Sequence, residues 1–154
     1  MSQIQPVPEG YTGAIPYLTI KNAADAIEFY QKAFGAELVL RMDMPSGAVM
    51  HAEMRVGSAL FMLSEQSDDW GTKSPQMLNG TPVSIMIYVP DVDALVEQAV
   101  TAGATLSMPV ADQFYGDRMG CLQDPFGHNW MFSTHVEDVS EQEMSRRAEE
   151  LFGQ

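Results

Sequence analysis

Cysteine is nearly missing from this chain: among 154 residues there is one, Cys121. No internal disulfide can form, and the usage fits a reducing compartment, so cytoplasm is the default expectation. Basic residues are also scarce, with 8 Lys and Arg against 21 Asp and Glu and a formal net charge of −13. Such a surface repels phosphate backbones and anionic lipid, which argues against nucleic-acid and membrane partners. No apolar run is long enough to span a bilayer. The opening MSQIQPVPEGYTG lacks the basic stretch and apolar core of a signal peptide. Gly-rich phosphate loops, a nucleophile elbow and zinc-ligand spacing are all missing, so no cofactor is expected.

What the chain does have is enough apolar material for a packed core, 45% hydrophobic residues, and 12 methionines. The flexible thioether suits irregular cores and adaptable apolar pockets, core filling being its ordinary use.

Apolar periodicity and turn residues divide the chain into two similar halves. Residues 1–13 read as a loose arm. AIPYLTI (14–20) is a strand, Asn22 a helix N-cap, and 23–34 a helix with Ala26, Ile27, Tyr30 and Phe34 on one stripe, ended by Gly35. AELVLRMDM, VMHAEMRV and ALFMLSE follow as three strands separated by turns at 45–47 and 57–58. The second half repeats the order: VSIMIYV, an Asp91 N-cap, a helix over 92–102 stopped by Gly103, ATLSMPV, a loop at DQFYGDRMG, CLQD, a turn at 125–127 and NWMFSTHV. Ile20 and Val89 are 69 apart, Gly35 and Gly103 are 68 apart, and Gly57 and Gly127 are 70 apart. Spacing this steady points to internal duplication of a βαβββ unit.

The organisation predicted is one domain over 1–154: a first module at about 14–64, a flap at about 65–82, a second module at about 83–136 and a C-terminal helix at about 140–152. Trp70 in the flap could close over a ligand or simply pack on the nearest surface. Ser140 with Glu143 forms a capping-box pattern for the last helix, which serves packing or a dimer contact. Strand alternation puts Pro16, Leu18 and Ile20 on one aliphatic face, with Ile15, Tyr17 and Thr19 opposite. Ile85, Ile87 and Val89 likewise oppose Ser84, Met86 and Tyr88. The aliphatic faces suit helix packing, and the mixed faces suit a ligand.

PYLTIKNAADAIEFYQKAFGAE, VMHAEMRVG, FYGDRMG and DPFGHNW resemble the vicinal oxygen chelate superfamily, which includes glyoxalase I, extradiol dioxygenases and bleomycin resistance proteins. Within it they look most like the phosphonate-operon-B-like branch of glyoxalase-like proteins. The resemblance covers about residues 14–136. It implies an α+β fold in which tandem βαβββ modules form a U-shaped mixed-sheet cleft, helices outside and ligand inside, commonly as a homodimer. Metal-dependent members carry ligands at positions that fall here on Ile15, Met62, Ser84 and Met131. None is a hard oxygen or imidazole donor of the kind divalent metals need, so no metal is expected there.

The remaining polar candidates are few. His51 and Glu53, two apart on one strand, point to one face. They could work as acid and base, could join distant His135 in a two-His, one-carboxylate iron site, or could be a structural hydrogen bond. In DQFYGDRMG, Arg118 offers a planar fork for a carboxylate or phosphate and Tyr115 a hydrogen bond; the alternative is an Asp117 turn cap with Arg118 in a surface ion pair. His128 reads as a turn residue. Cys121 aligns with His51 in the repeat and reads as an inert buried thiol. The ligand-binding set expected is Tyr17, Met62, Met86, Tyr88, Tyr115, Asp117, Arg118 and Met131, with His51 and Glu53 as the catalytic candidates. The functional expectation is a metal-free cleft for a small organic molecule. Two alternatives stand beside it: a lyase, isomerase or dioxygenase using a metal on His51 and Glu53, and an interaction module with a vestigial cleft.

Overall fold

The structure is a computed structural model that describes residues 4–153; residues 1–3 of the expected arm lie outside it. Two compact units divide the chain, Met1–Thr81 and Pro82–Gln154. The first contains β1 (Tyr17–Ile20), α1 (Ala23–Phe34), β2 (Glu37–Asp43), β3 (Val49–Val56), β4 (Ala59–Glu65) and the short α2 (Pro75–Leu78). The second contains β5 (Ser84–Tyr88), α3 (Val92–Ala102), β6 (Thr105–Asp112), β7 (Asp117–Gln123), β8 (Asn129–His135) and α4 (Glu141–Phe152). Each unit has a four-stranded mixed sheet of the same topology, β1-β4-β3-β2 and β5-β8-β7-β6. The first strand is parallel to the last and the rest are antiparallel, which is the βαβββ unit repeated. Among the described residues no helix is long and apolar enough to cross a membrane.

The helices cover one face of each sheet. In the first unit Leu18, Ile20, Ala52, Met54, Phe61 and Leu63 are buried there, with Ile27, Tyr30 and Phe34 of α1. Tyr30 stacks on Phe34 at 5.5 Å and meets Phe61 edge-on at 5.5 Å, the geometries aromatic quadrupoles favour. In the second unit Trp130 and Phe132, both fully buried, take the same place, and the Trp130 indole donates to Asp124 at 2.8 Å. Gly120 allows α3 to approach β7: a Cβ there would sit 2.8 Å from Val110 Cγ2 and 3.3 Å from Val96 Cγ2. His128 lies in the β7–β8 turn, where its N–H donates to Asp124.

Two local expectations are corrected. Asn22 stands at the N-terminus of α1 in the left-handed region (φ 66°) and makes no side-chain cap. Glu65, at the end of β4, caps instead, accepting from the N–H groups of Asn22 and Ala23 at 2.9 and 2.7 Å. A carboxylate is the better partner for the helix's positive end. The expected loop 112–120 is mostly strand, because β6 runs to Asp112 and β7 starts at Asp117, leaving a tight turn. Gly116 makes that turn possible: φ is +100° and a Cβ would meet the Glu137 carbonyl at 2.1 Å. At the tail, Ser140 accepts from the Glu143 N–H, and α4 buries no residue. Arg147 ties it to Glu137 and Phe114 of its own unit.

Candidate functional site

The sheet face opposite the helix in each unit carries the polar and sulfur-bearing side chains. In the first unit Tyr17, Met62 and Glu53 stand side by side across β1, β4 and β3. In the second, Met86, Met131 and Cys121 form the equivalent row. Tyr88, Ser133 and Met119 form the next row, and His135 faces Asp117 beyond it. This register matches Cys121 with Glu53, each opposite its Met, and not with His51; the slip is two residues, so the face is unchanged.

In the first unit three side chains expected at a site meet. The Tyr17 hydroxyl lies 2.8 Å from His51 Nδ1, and His51 Nε2 lies 3.2 Å from Glu53 Oε1. A fourth member was missed: Tyr11, from the supposed loose arm, donates to Glu53 Oε2 at 2.5 Å. The only hint in the sequence is an aromatic set between glycines in a Gly/Pro-rich stretch. Glu53 is buried, and the hydrogen bond from Tyr11, helped by His51, holds its carboxyl below the usual range against the cost of burial. The same bond pushes the Tyr11 phenol up. A carboxylate only accepts, so the His51 nitrogen facing Glu53, Nε2, carries a proton, while Nδ1 faces the Tyr17 hydroxyl. The result is a relay, Tyr17 to His51 to Glu53, whose outermost group is 52% exposed.

The second unit has its own network on the same kind of face. Asp117, 4% exposed, accepts from the Tyr88 hydroxyl at 2.6 Å and from His135 Nδ1 at 2.8 Å, while His135 Nε2 lies 2.9 Å from Asp138. Burial pushes the Asp117 carboxyl up, but the bonds from Tyr88 and His135 outweigh it and leave it lowered. Tyr88 is raised through its bond to Asp117, and His135 through its bonds to Asp117 and Asp138. A carboxylate at each nitrogen favours the charged form of His135. Tyr115 donates to Met119 Sδ at 3.6 Å, and burial, then the Asp117 charge, raises its phenol. Burial also raises the Cys121 thiol. The Ser133 hydroxyl, fully buried between Tyr88 and Met119, has no hydrogen-bond partner among the described residues.

Arg118 does not join this group. It alternates with Asp117, faces α3, and is held by Asp93 at 2.6 and 2.8 Å and by Asp112 at 3.0 Å. Both carboxylates raise it further. It pairs in register with Thr134, whose hydroxyl accepts from the first N–H of α3 at 2.9 Å.

Met62, Met131 and Ser84, where the resemblance places metal ligands, stand on the open faces, while Ile15 precedes β1. This donor set does not fit a hard divalent ion. His51 and Glu53 belong to the first unit and His135 to the second, and both nitrogens of each histidine already face a partner.

The duplicated βαβββ topology, with helices on one face and a Tyr-, Met- and His-bearing face opposite, defines a class. Residues 12–132 match the model of the Glyoxalase/Bleomycin resistance protein/Dioxygenase superfamily, and the chain belongs to it. The uncharacterized protein Mb0911c of Mycobacterium bovis is 42% identical over 132 residues, covering 84% of this chain and 87% of that protein. Protein PA1353 from Pseudomonas aeruginosa has a similar structure, with TM-score 0.64, 25% identity, and coverage of 82% of this chain and 99% of that one. So does a gene product from Arabidopsis thaliana, with TM-score 0.63, 27% identity, and coverage of 82% and 98%.

Proposed function

We propose that the chain binds a small, partly aromatic organic molecule, neutral or positively charged, on the open faces of its sheets, without a hard divalent metal at the superfamily's ligand positions. The observation that carries this reading is the make-up of those faces. Exposed Tyr17 is linked through His51 to ionised Glu53, exposed Tyr88 donates to ionised Asp117, and Met86 is exposed on the same face of the second sheet. Aromatic rings and thioethers give broad, adaptable apolar contact, and a ring face with a nearby carboxylate attracts a cation. On these faces the carboxylates of Glu53, Asp117 and Asp138 outnumber the cationic partners Arg55 and His135, while Arg118 is engaged on the helix side.

A second reading is favoured by the relay: Tyr17, backed by His51 and Glu53, acts as an acid–base group toward a bound substrate. A metal on His51 and Glu53 is less well supported, since it would have to displace the contacts to Tyr17 and between the two residues. The same proposal has the protein acting as a cytoplasmic homodimer of the phosphonate-operon-B-like branch. Exposed Val39, Leu40 and Met42 on the edge strand β2 support pairing of copies. A fluorescence-monitored screen of small aromatic amines tests the binding reading. A hit on the first unit's face should be weakened by Tyr17→Ala, and one on the second's by Tyr88→Ala, by roughly 1 kcal/mol or more; hits indifferent to both would refute the reading.

A further inference from the structure

One level of the second sheet carries sulfur on all four strands. Met86 of β5 is in register with Met131 of β8, Met131 with Cys121 of β7, and Cys121 with Met108 of β6. Register partners on neighbouring strands share a face, with Cβ atoms about 4.5–5.5 Å apart. The three thioethers and the thiol therefore form one row across the four strands, with Met86 and Met108 about 14 Å apart at its ends and Met108 flanked by bulges in β6. The equivalent level of the first sheet reads Tyr17, Met62, Glu53 and Leu40, so the duplication does not by itself produce a sulfur row. Met86 is exposed and Met108, Cys121 and Met131 are half-buried, which leaves them reachable from solvent. Met119, in the next row, is buried and its sulfur accepts from Tyr115, which sets it apart.

Thioethers are poor ligands for hard ions and good ones for soft ions, and a thiolate adds the negative charge that a monovalent soft ion needs. The geometry points to a binding site for Cu(I) on this row, with Cys121 and Met131 at its centre and Met86 and Met108 completing the shell. Binding replaces the S–H bond of Cys121 with an S–Cu bond and releases one proton to solvent; neither sulfur nor copper changes oxidation state. Methionine chains are long and flexible enough to bring their sulfurs together from adjacent strands without moving the backbone. Nothing in this site depends on the organic-ligand reading, and neither Tyr17 nor Glu53 takes part in it.

The test titrates the reduced full-length chain with Cu(I) under anaerobic conditions, against the chromogenic chelator bicinchoninate. The expected result is one Cu(I) retained per chain. Cys121→Ser should abolish retention, and Met131→Leu and the double variant Met86→Leu/Met108→Leu should each weaken it about tenfold or more. Met144→Leu, on α4, should bind as wild type does. Met-to-Leu changes preserve volume, and circular dichroism confirms that each variant is folded. Failure of the wild type to hold Cu(I) against the chelator overturns the site. So does unchanged binding by Cys121→Ser. Methionine variants that bind as tightly as wild type would show a lone thiol at work and overturn it equally.

Discussion

Asp117 and Arg118 are consecutive in β7 and serve opposite faces of one sheet. Asp117 is turned to the open face, where Tyr88 and His135 donate to it. Arg118 is turned to the helix, where Asp93 of α3 and Asp112 of β6 hold its guanidinium. One carboxylate therefore shapes a surface that can meet a ligand, while the adjacent cation fastens a helix to its sheet.

Arg118→Ala should therefore leave the affinity for any ligand of the open face unchanged and lower Tm slightly. The loss is small because partly exposed ion pairs contribute little, and added salt should shrink it further. Calorimetry with and without ligand checks both halves. A large affinity loss without a stability change would move Arg118 back to the ligand.

Glu53→Gln should cost about 1–3 kcal/mol at neutral pH, since a buried charged acceptor of two side-chain donors is replaced by a neutral amide. The folded-state carboxyl is held below the ordinary glutamate value of 4.5. Its contribution is therefore fully present above that value and is lost as pH falls through the depressed one. Denaturant midpoints measured across the acid range should show wild type and variant converging at low pH.

His135 gives the opposite sign. Its folded-state value is raised above 6.5 by Asp117 and Asp138. The stabilisation is thus complete below 6.5 and disappears as pH rises through the raised value. His135→Gln should trail wild type in Tm in mildly acidic buffer and match it in alkaline buffer. NMR titration should find the His135 ring titrating above 6.5, and closer to it in Asp117→Asn.

Gly120→Ala should destabilise the second unit by about 1–3 kcal/mol, the scale of overpacking. The added methyl would have to displace Val110 and Val96, which lie 2.8 and 3.3 Å from its position. Val96 is buried in the contact between α3 and the sheet, and the Val110 Cα lies 3.5 Å from the same position. Chemical denaturation of the purified variant checks this.

Local pattern was enough to place α1, α3 and most strands, because strand alternation and helical spacing are written in neighbouring residues. The helix-facing and open faces of β1 and β5 were legible for the same reason. Contacts between distant residues were not. Glu65 caps α1 from 42 positions away, and Tyr11 reaches Glu53 across another 42. Neither has a local signature. The turn residues in DQFYGDRMG suggested a loop, whereas Gly116 confines the turn and lets Asp117 begin a strand. With Arg118 in a strand, its face follows from alternation. The expected ligand anchor then becomes a helix fastener.

The most direct measurement of the binding proposal uses the methionines as reporters. The protein, labelled with 13C at its methionine methyls, is titrated with aromatic amines and, in parallel, with the matching aromatic carboxylates. The proposal predicts saturable binding of an amine, with shifts at Met62 where the first unit's face holds it, or at Met86 and Met131 where the second's does, and none at Met144 on α4. Preferential binding of the carboxylates, or shifts that leave Met62, Met86 and Met131 untouched, would contradict it.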